Sequence, residues 1–161
     1  MRVEALMTRT VATCRPHDTL DGVARTMWDG DFGCVPVVQD DDGGVCVVGM
    51  ITDRDICMAA YTQGRPLFDI PVSTAMQRDV RSCGPKDTVR QAIKILETNQ
   101  LHRLPVVDDH DHLVGLLSLA DVAREAAREH SRSARDVTAD EIADAVEAVT
   151  APRARGELVA A

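Results

Sequence analysis

The chain repeats itself. Val3-Glu-Ala-Leu-Met7 returns 69 residues later as Val72-Ser-Thr-Ala-Met76, and Val11-Ala-Thr-Cys14-Arg-Pro16-His-Asp18-Thr19 returns as Val80-Arg-Ser-Cys83-Gly-Pro85-Lys-Asp87-Thr88. Pro36-Val37-Val38 matches Pro105-Val106-Val107, and from residue 3 to residue 40 twelve of 38 positions are identical. The offset then falls to 66: Val48-Gly49-Met-Ile-Thr52-Asp-Arg-Asp55 matches Val114-Gly115-Leu-Leu-Ser118-Leu-Ala-Asp121. The three residues lost between copies fall in the Asp/Gly loop 40–44, where a change of length costs little. A unit of about 60 residues hides only about 60% of its unfolded surface and is marginal alone, so two copies are expected to share a core.

Each copy has the same local pattern. A short strand, 11–13 in the first, precedes a proline. Asp18 or Thr19 then caps a helix whose apolar positions Leu20, Val23, Ala24 and Met27 fall at i, i+3, i+4, i+7; the second copy offers Val89, Ala92, Ile93 and Leu96. Strands 35–38 and 104–107 follow, then a Gly/Asp hairpin, then strands 45–51 and 113–117, and a second helix from Asp53 or Leu119. The order is β-α-β-β-α. The segments are repeat 1 (1–62), a Gly/Pro linker (63–71), repeat 2 (72–130) and an extension (131–161). In the extension, residues 131–136 form a polar break, Thr138-Ala-Asp-Glu141 is a capping box before Ile142, Val146 and Val149, and the tail from Pro152 reads as frayed and flexible.

Composition narrows the function classes. The net charge of −8 and only four aromatics, Trp28, Phe32, Tyr61 and Phe68, argue against a nucleic-acid platform. No apolar run approaches the about 20 residues of a membrane span, and the first residues lack a signal-peptide h-region, so a cytoplasmic location is expected. Five cysteines without CxxC read as reduced, mostly buried thiols. Neither GxSxG, GxxxxGK[ST], HExxH nor GxGxxG occurs, and no enzyme is expected.

The opening VxxxM, the Asp-Thr before the first helix, the Pro-Val-Val strand and Gly-x-[Ile/Leu]-[Thr/Ser]-x-x-Asp, all present twice in order, resemble the CBS domain as a tandem pair (a Bateman module) of the stand-alone bacterial type. The resemblance covers residues 3 to 127. It implies an α/β (α+β) fold of two β-α-β-β-α repeats packed sheet to sheet about a pseudo-two-fold axis, here with a C-terminal helical extension. It also implies a regulatory sensor that binds an adenine nucleotide (AMP, ADP or ATP) in clefts of the repeats and signals to a protein partner as a homodimer. No cofactor is required. Carried over residue by residue, Thr52 and Ser118 serve phosphate, and Asp55 and Asp121 the ribose. The adenine slots fall at Thr13, Cys14, Val35 and Pro36, and at Ser82, Cys83, Leu104 and Pro105. Arg54 and Arg103 are candidates for phosphate charge.

Each assignment has a plainer counterpart. Thr/Ser three residues before Asp is also an ordinary helix cap, the slot residues also fill a core, and either arginine also suits a surface ion pair. The loop Asp108-Asp-His110-Asp-His112 is dense in potential ligands, but a solvated turn is the simpler reading, and no metal site is assigned. Cys14 and Cys34 are weighed as a regulatory disulfide or thiol–metal pair. The alternative function is a structural or redox/metal-responsive module with vestigial nucleotide sites. Finally, Met27, Trp28, Ile56, Met58, Ala59 and Ala60 in one copy, and Ile93, Ile95, Leu96, Val122, Ala123 and Ala126 in the other, are too apolar to point inward all at once. A helix-mediated dimer is therefore expected, unless the C-terminal helix folds over the patch.

Overall fold

The computed structural model describes residues 1–129 and 137–152; the polar break at 131–136 and the tail beyond Pro152 lie outside them. Helix α1 (Leu20–Gly30) buries Leu20, Val23 and Met27 and stops at Asp31, whose φ of 54° ends the helical turn. The hairpin β1 (Cys34–Asp41) and β2 (Gly44–Thr52) pairs antiparallel, from Cys34 opposite Thr52 to Asp41 opposite Gly44, and α2 (Asp53–Gln63) leaves its end directly. The second half repeats this with α3 (Val89–Asn99), β3 (Arg103–Val107), β4 (Leu113–Ser118) and α4 (Leu119–Glu129). Even the β-bulge recurs, at Val37/Val38 and at Val106/Val107.

The strand expected at 11–13 is not formed. Only Cys14 pairs, as a single parallel bridge in which its N–H donates to Pro36 O at 3.1 Å and its carbonyl accepts from Val38 N at 2.8 Å; Cys83 does the same with Pro105 and Val107. Pro36 and Pro105 have no N–H to offer and contribute only their carbonyls, the donors on that edge being Val38 and Val107.

The opening VxxxM segments cross over. Val3 N–H donates to Asp87 O and Glu4 N–H to Pro85 O, so the first residues of the chain pair with the second half. Val3 and Met7 belong to the core built by Val89, Leu96, Leu104 and Leu117. Reciprocally, Val72 N–H donates to Asp18 O and Ser73 N–H to Pro16 O, and Val72 and Met76 complete the core of Leu20, Val35, Val37 and Ile51. The crossing segments also close the sheets, Thr8 pairing with Leu116 of β4 and Gln77 with Met50 of β2. This explains the motif glycines. A Cβ on Gly115 would sit 2.6 Å from Met7 Sδ, and one on Gly49 would sit 2.8 Å from Met76 Sδ, so a side chain at either position would push the crossing segment away.

The two halves meet along β2 and β4, where Cys46 and His112, which occupy equivalent places in the repeat, face each other as an antiparallel bridge. The capping box at Thr138 and Glu141 forms as expected and opens α5 (Ala139–Thr150). This helix packs on α3 and α4, burying Val137, Ala145 and Val149 against them. The exposed apolar patch expected in the second half is therefore absent: Ile93, Leu96 and Val122 are buried and Ile95 is half-buried. In the first half Met27, Ile56 and Ala59 turn inward, but Trp28, Met58, Tyr61 and Phe68 stay exposed, Trp28 at 87%.

Candidate functional site

The paired Thr/Ser-x-x-Asp turns stand where β2 and β4 run into α2 and α4. In the first, Thr52 is the N-cap: its hydroxyl accepts from Asp55 N–H at 3.1 Å and donates to Asp55 Oδ2 at 2.7 Å, and Thr52 N–H donates to the same oxygen at 3.0 Å. Ser118 and Asp121 copy the arrangement, with 2.6 Å between Ser118 Oγ and Asp121 Oδ2 and 2.9 Å from Ser118 N. Both hydroxyl protons are thus held by the cap, and one carboxylate oxygen of each aspartate stands outside it.

Those outer oxygens differ between the halves. Asp55 Oδ1 accepts from Gln77 Nε2 at 3.1 Å, a neutral donor brought by the crossing segment. Asp121 Oδ1 is ion-paired with Arg124, one turn further along α4. Neither partner was among the expected site residues. Arg124 was legible at i+3, but Gln77 lies 22 residues from Asp55 and reaches it only because of the crossover.

The slot residues hold their places in the strand edges. Thr13 is exposed, Ser82 is half-buried, and Val35, Pro36, Leu104 and Pro105 are buried. The thiols of Cys14 and Cys83 are each pushed up to about 12, first by burial and then by the nearby carboxylates of Asp18 and Asp87. Cys14 lies opposite Val37, three residues along β1 from Cys34, roughly 10 Å of strand, which is beyond disulfide reach. The Cys14–Cys34 pair is therefore not assembled, and all five cysteines are free. Cys34 is instead raised by burial, an effect opposed by the guanidinium of Arg103 beside it.

Arg103 is opposite Ser118 in its own hairpin but reaches across to Cys34 of the first half. There it lines a groove of about 500 Å³ with Met27, Trp28, Phe32, Asp53 and Ile56. The groove lies on the helix side of the first half; of the candidate residues only Arg103 borders it. Arg54 is exposed, its backbone N–H held by Asp53 Oδ1 at 2.7 Å.

The thiol chemistry gives a direct expectation. At pH 8 exposed Cys57 should react fast with a thiol reagent, and Cys14 and Cys83 only after unfolding, as read by mass spectrometry of labelled peptides. Because folding holds two thiols protonated above their ordinary 9.0, the folded chain binds more protons than the unfolded one between pH 9 and about 12. The contribution of these two thiols is fully present below pH 9 and should be lost as pH rises through that window. Urea melts at pH 8 and pH 10 test this. An equal drop in a Cys14→Ala/Cys83→Ala double variant would assign the loss to other groups.

Comparison with known proteins gives a consistent result. The CBS-domain family model matches twice, over residues 3–61 and 70–128. A CBS domain-containing protein of Bacillus subtilis (strain 168) is 37% identical over 121 residues, covering 75% of this chain and 82% of its own length. A conserved CBS-domain protein of unknown function from Thermoplasma acidophilum superposes with a TM-score of 0.73 at 23% identity, over 92% of this chain and 75% of that one. A CBS domain pair solved in complex with 5′-methylthioadenosine and S-adenosyl-L-methionine superposes at 0.70 with 21% identity, over 80% of this chain and 98% of that one.

Proposed function

Since this chain belongs to the CBS-domain family as a tandem pair, a regulatory module, we propose that it senses an adenine nucleotide at its Thr/Ser-x-x-Asp turns and signals the occupied state to a protein partner. The observation that carries this reading is the pair of carboxylates. Each is fixed by its cap through one oxygen and presents the other at a helix N-terminus, where backbone N–H groups favour a phosphate. The adenosyl ligands held by one structural neighbour support it.

The two turns predict unequal affinity. At the first, a ribose hydroxyl displaces the neutral Gln77 amide, with the Arg103 guanidinium close to the adjoining Cys34. At the second it must break the Asp121–Arg124 ion pair. The first is therefore the tighter site. Hydrogen bonds to a charged group contribute about 1.5–3 kcal/mol, so Asp55→Ala should weaken AMP, ADP or ATP binding about tenfold or more, and Asp121→Ala less. Titration calorimetry on both variants decides this, with circular dichroism to confirm folding. Unchanged affinity in both would overturn the ribose assignment.

We also propose that the chain pairs with a second copy through α1 and α2. The equivalent face of α3 and α4 is already covered by α5, whereas Trp28, Met58 and Tyr61 remain exposed on α1 and α2.

A further inference from the structure

A second cluster of chemistry lies at the tips of the two hairpins, at the opposite ends of β2 and β4 from the caps. Cys46 and His112 are the same position of the repeat, and the pseudo-two-fold axis brings them together as a bridge between β2 and β4. One copy supplies a thiol there and the other an imidazole. The longer first hairpin adds Asp41. The donor atoms of Asp41, Cys46 and His112 all lie within 4.8 Å of one another.

Two edges of this triangle, both at Asp41, have a particular length. Cys46 Sγ is 3.3 Å from Asp41 Oδ2, and His112 Nε2 is 3.6 Å from the same oxygen. Zinc bonds of about 2.0–2.3 Å at tetrahedral angles place ligand atoms roughly 3.3–3.6 Å apart. The imidazole is also held in the orientation a ligand needs. Its Nδ1 faces Asp108 Oδ2 at 3.7 Å, and the other oxygen of Asp108 is fixed by the N–H groups of His110 and His112, both at 2.9 Å. A carboxylate behind a histidine sets its tautomer and raises its basicity toward a metal. Nε2, on the other side of the ring, is fully buried and makes no hydrogen bond, Asp41 Oδ2 standing off at 3.6 Å, although the side chain itself is 14% exposed. A buried polar nitrogen without a hydrogen bond is costly. The ring presses so closely on the turn that a Cβ on Gly44 would be 2.7 Å from its Cγ, so the cradle requires glycine there.

We propose that Asp41, Cys46 and His112 form a zinc site across the two repeats, with Asp108 as the positioning residue and the fourth coordination position left to water. Binding forms the sulfur–, nitrogen– and oxygen–zinc bonds and releases the Cys46 thiol proton to solvent; no electron is transferred. The ligands come from both halves, so the metal staples the hairpins together where the halves meet. This inference is independent of the nucleotide reading.

The test uses the full chain, reduced and stripped of metal, titrated with zinc against a chromogenic chelator and separately with cobalt(II). One equivalent should bind, and the cobalt form should show a thiolate-to-cobalt charge-transfer band with the intense visible bands of four-coordinate cobalt. Cys46→Ser should abolish the charge-transfer band. His112→Gln should lower zinc affinity by at least the roughly 10- to 100-fold that loss of an outer partner alone causes, and Asp108→Asn should fall in that range. Cys57→Ser should bind as the parent does. Absence of the charge-transfer band in the parent, unchanged affinity in Cys46→Ser and His112→Gln, or loss of binding in Cys57→Ser would each overturn the site.

Discussion

Val3→Asp is expected to destroy the second half of the molecule, not the first. Val3 is completely buried, and its surroundings are Val89, Leu96, Leu104 and Leu117. A carboxylate there has no described partner and belongs to the class of substitutions that cost more than about 4 kcal/mol, against a total stability of about 5–15 kcal/mol for a typical domain. Amide exchange should show protection lost first in α3, β3 and β4, and later in α1, β1 and β2. Val72→Asp should give the mirror image. Gly115→Val probes the same joint from the other side by overpacking Met7, at about 1–3 kcal/mol. If Val3→Asp instead loosens α1 and β1 first, the crossover is wrong.

Removal of α5 is expected to change assembly. Ending the chain at residue 129 uncovers the apolar face of α3 and α4 that Val137, Ala145 and Val149 cover. Two helix faces are then open instead of one. The parent should scatter light as a dimer of about 35 kDa, twice the 17.5 kDa chain. The shortened chain should form larger species at the same micromolar concentration and melt several degrees lower. A shortened chain of unchanged mass and midpoint would mean that the α3/α4 face needs no cover. A parent mass near 17.5 kDa at every concentration would refute pairing through α1 and α2.

The parts of this fold that rest on local pattern were legible. The helix phases at Leu20/Val23/Met27 and Val89/Ala92/Leu96, the hairpins and the Thr138 capping box are found where spacing and caps put them. The strand expected at 11–13 does not form, because β-branched residues make a strand only where a neighbour offers its edge, and β1 offers it at Cys14 alone. The crossover was hidden for a different reason. In a duplicated chain Val3 fits its own copy's core and the other's equally well by pattern, and only the geometry of the connection decides. The same holds for α5, whose apolar stripe suits either pair of helices. At the site, the caps were readable from Thr52/Asp55 and Ser118/Asp121. The partners of the outer oxygens were not equally so: Arg124 is local, but Gln77 arrives through the crossover.

The crossing segments also say something about origin. A polypeptide made of one copy would carry a Val-x-x-x-Met turn that its own core cannot seat in this geometry, and a core lacking that turn. Two such polypeptides would lend each other the missing piece and form a closed symmetric pair, with the Cys46/His112 position on its axis. Joining them end to end through residues 63–71 leaves every contact in place but turns a concentration-dependent association into an intramolecular one, with an effective concentration set by a short tether. Once fused, the axis no longer binds both halves to the same residue. One copy became free to carry cysteine where the other carries histidine, one aspartate to meet Gln77 where its equivalent meets Arg124, and one helix face to stay open while the other is sealed.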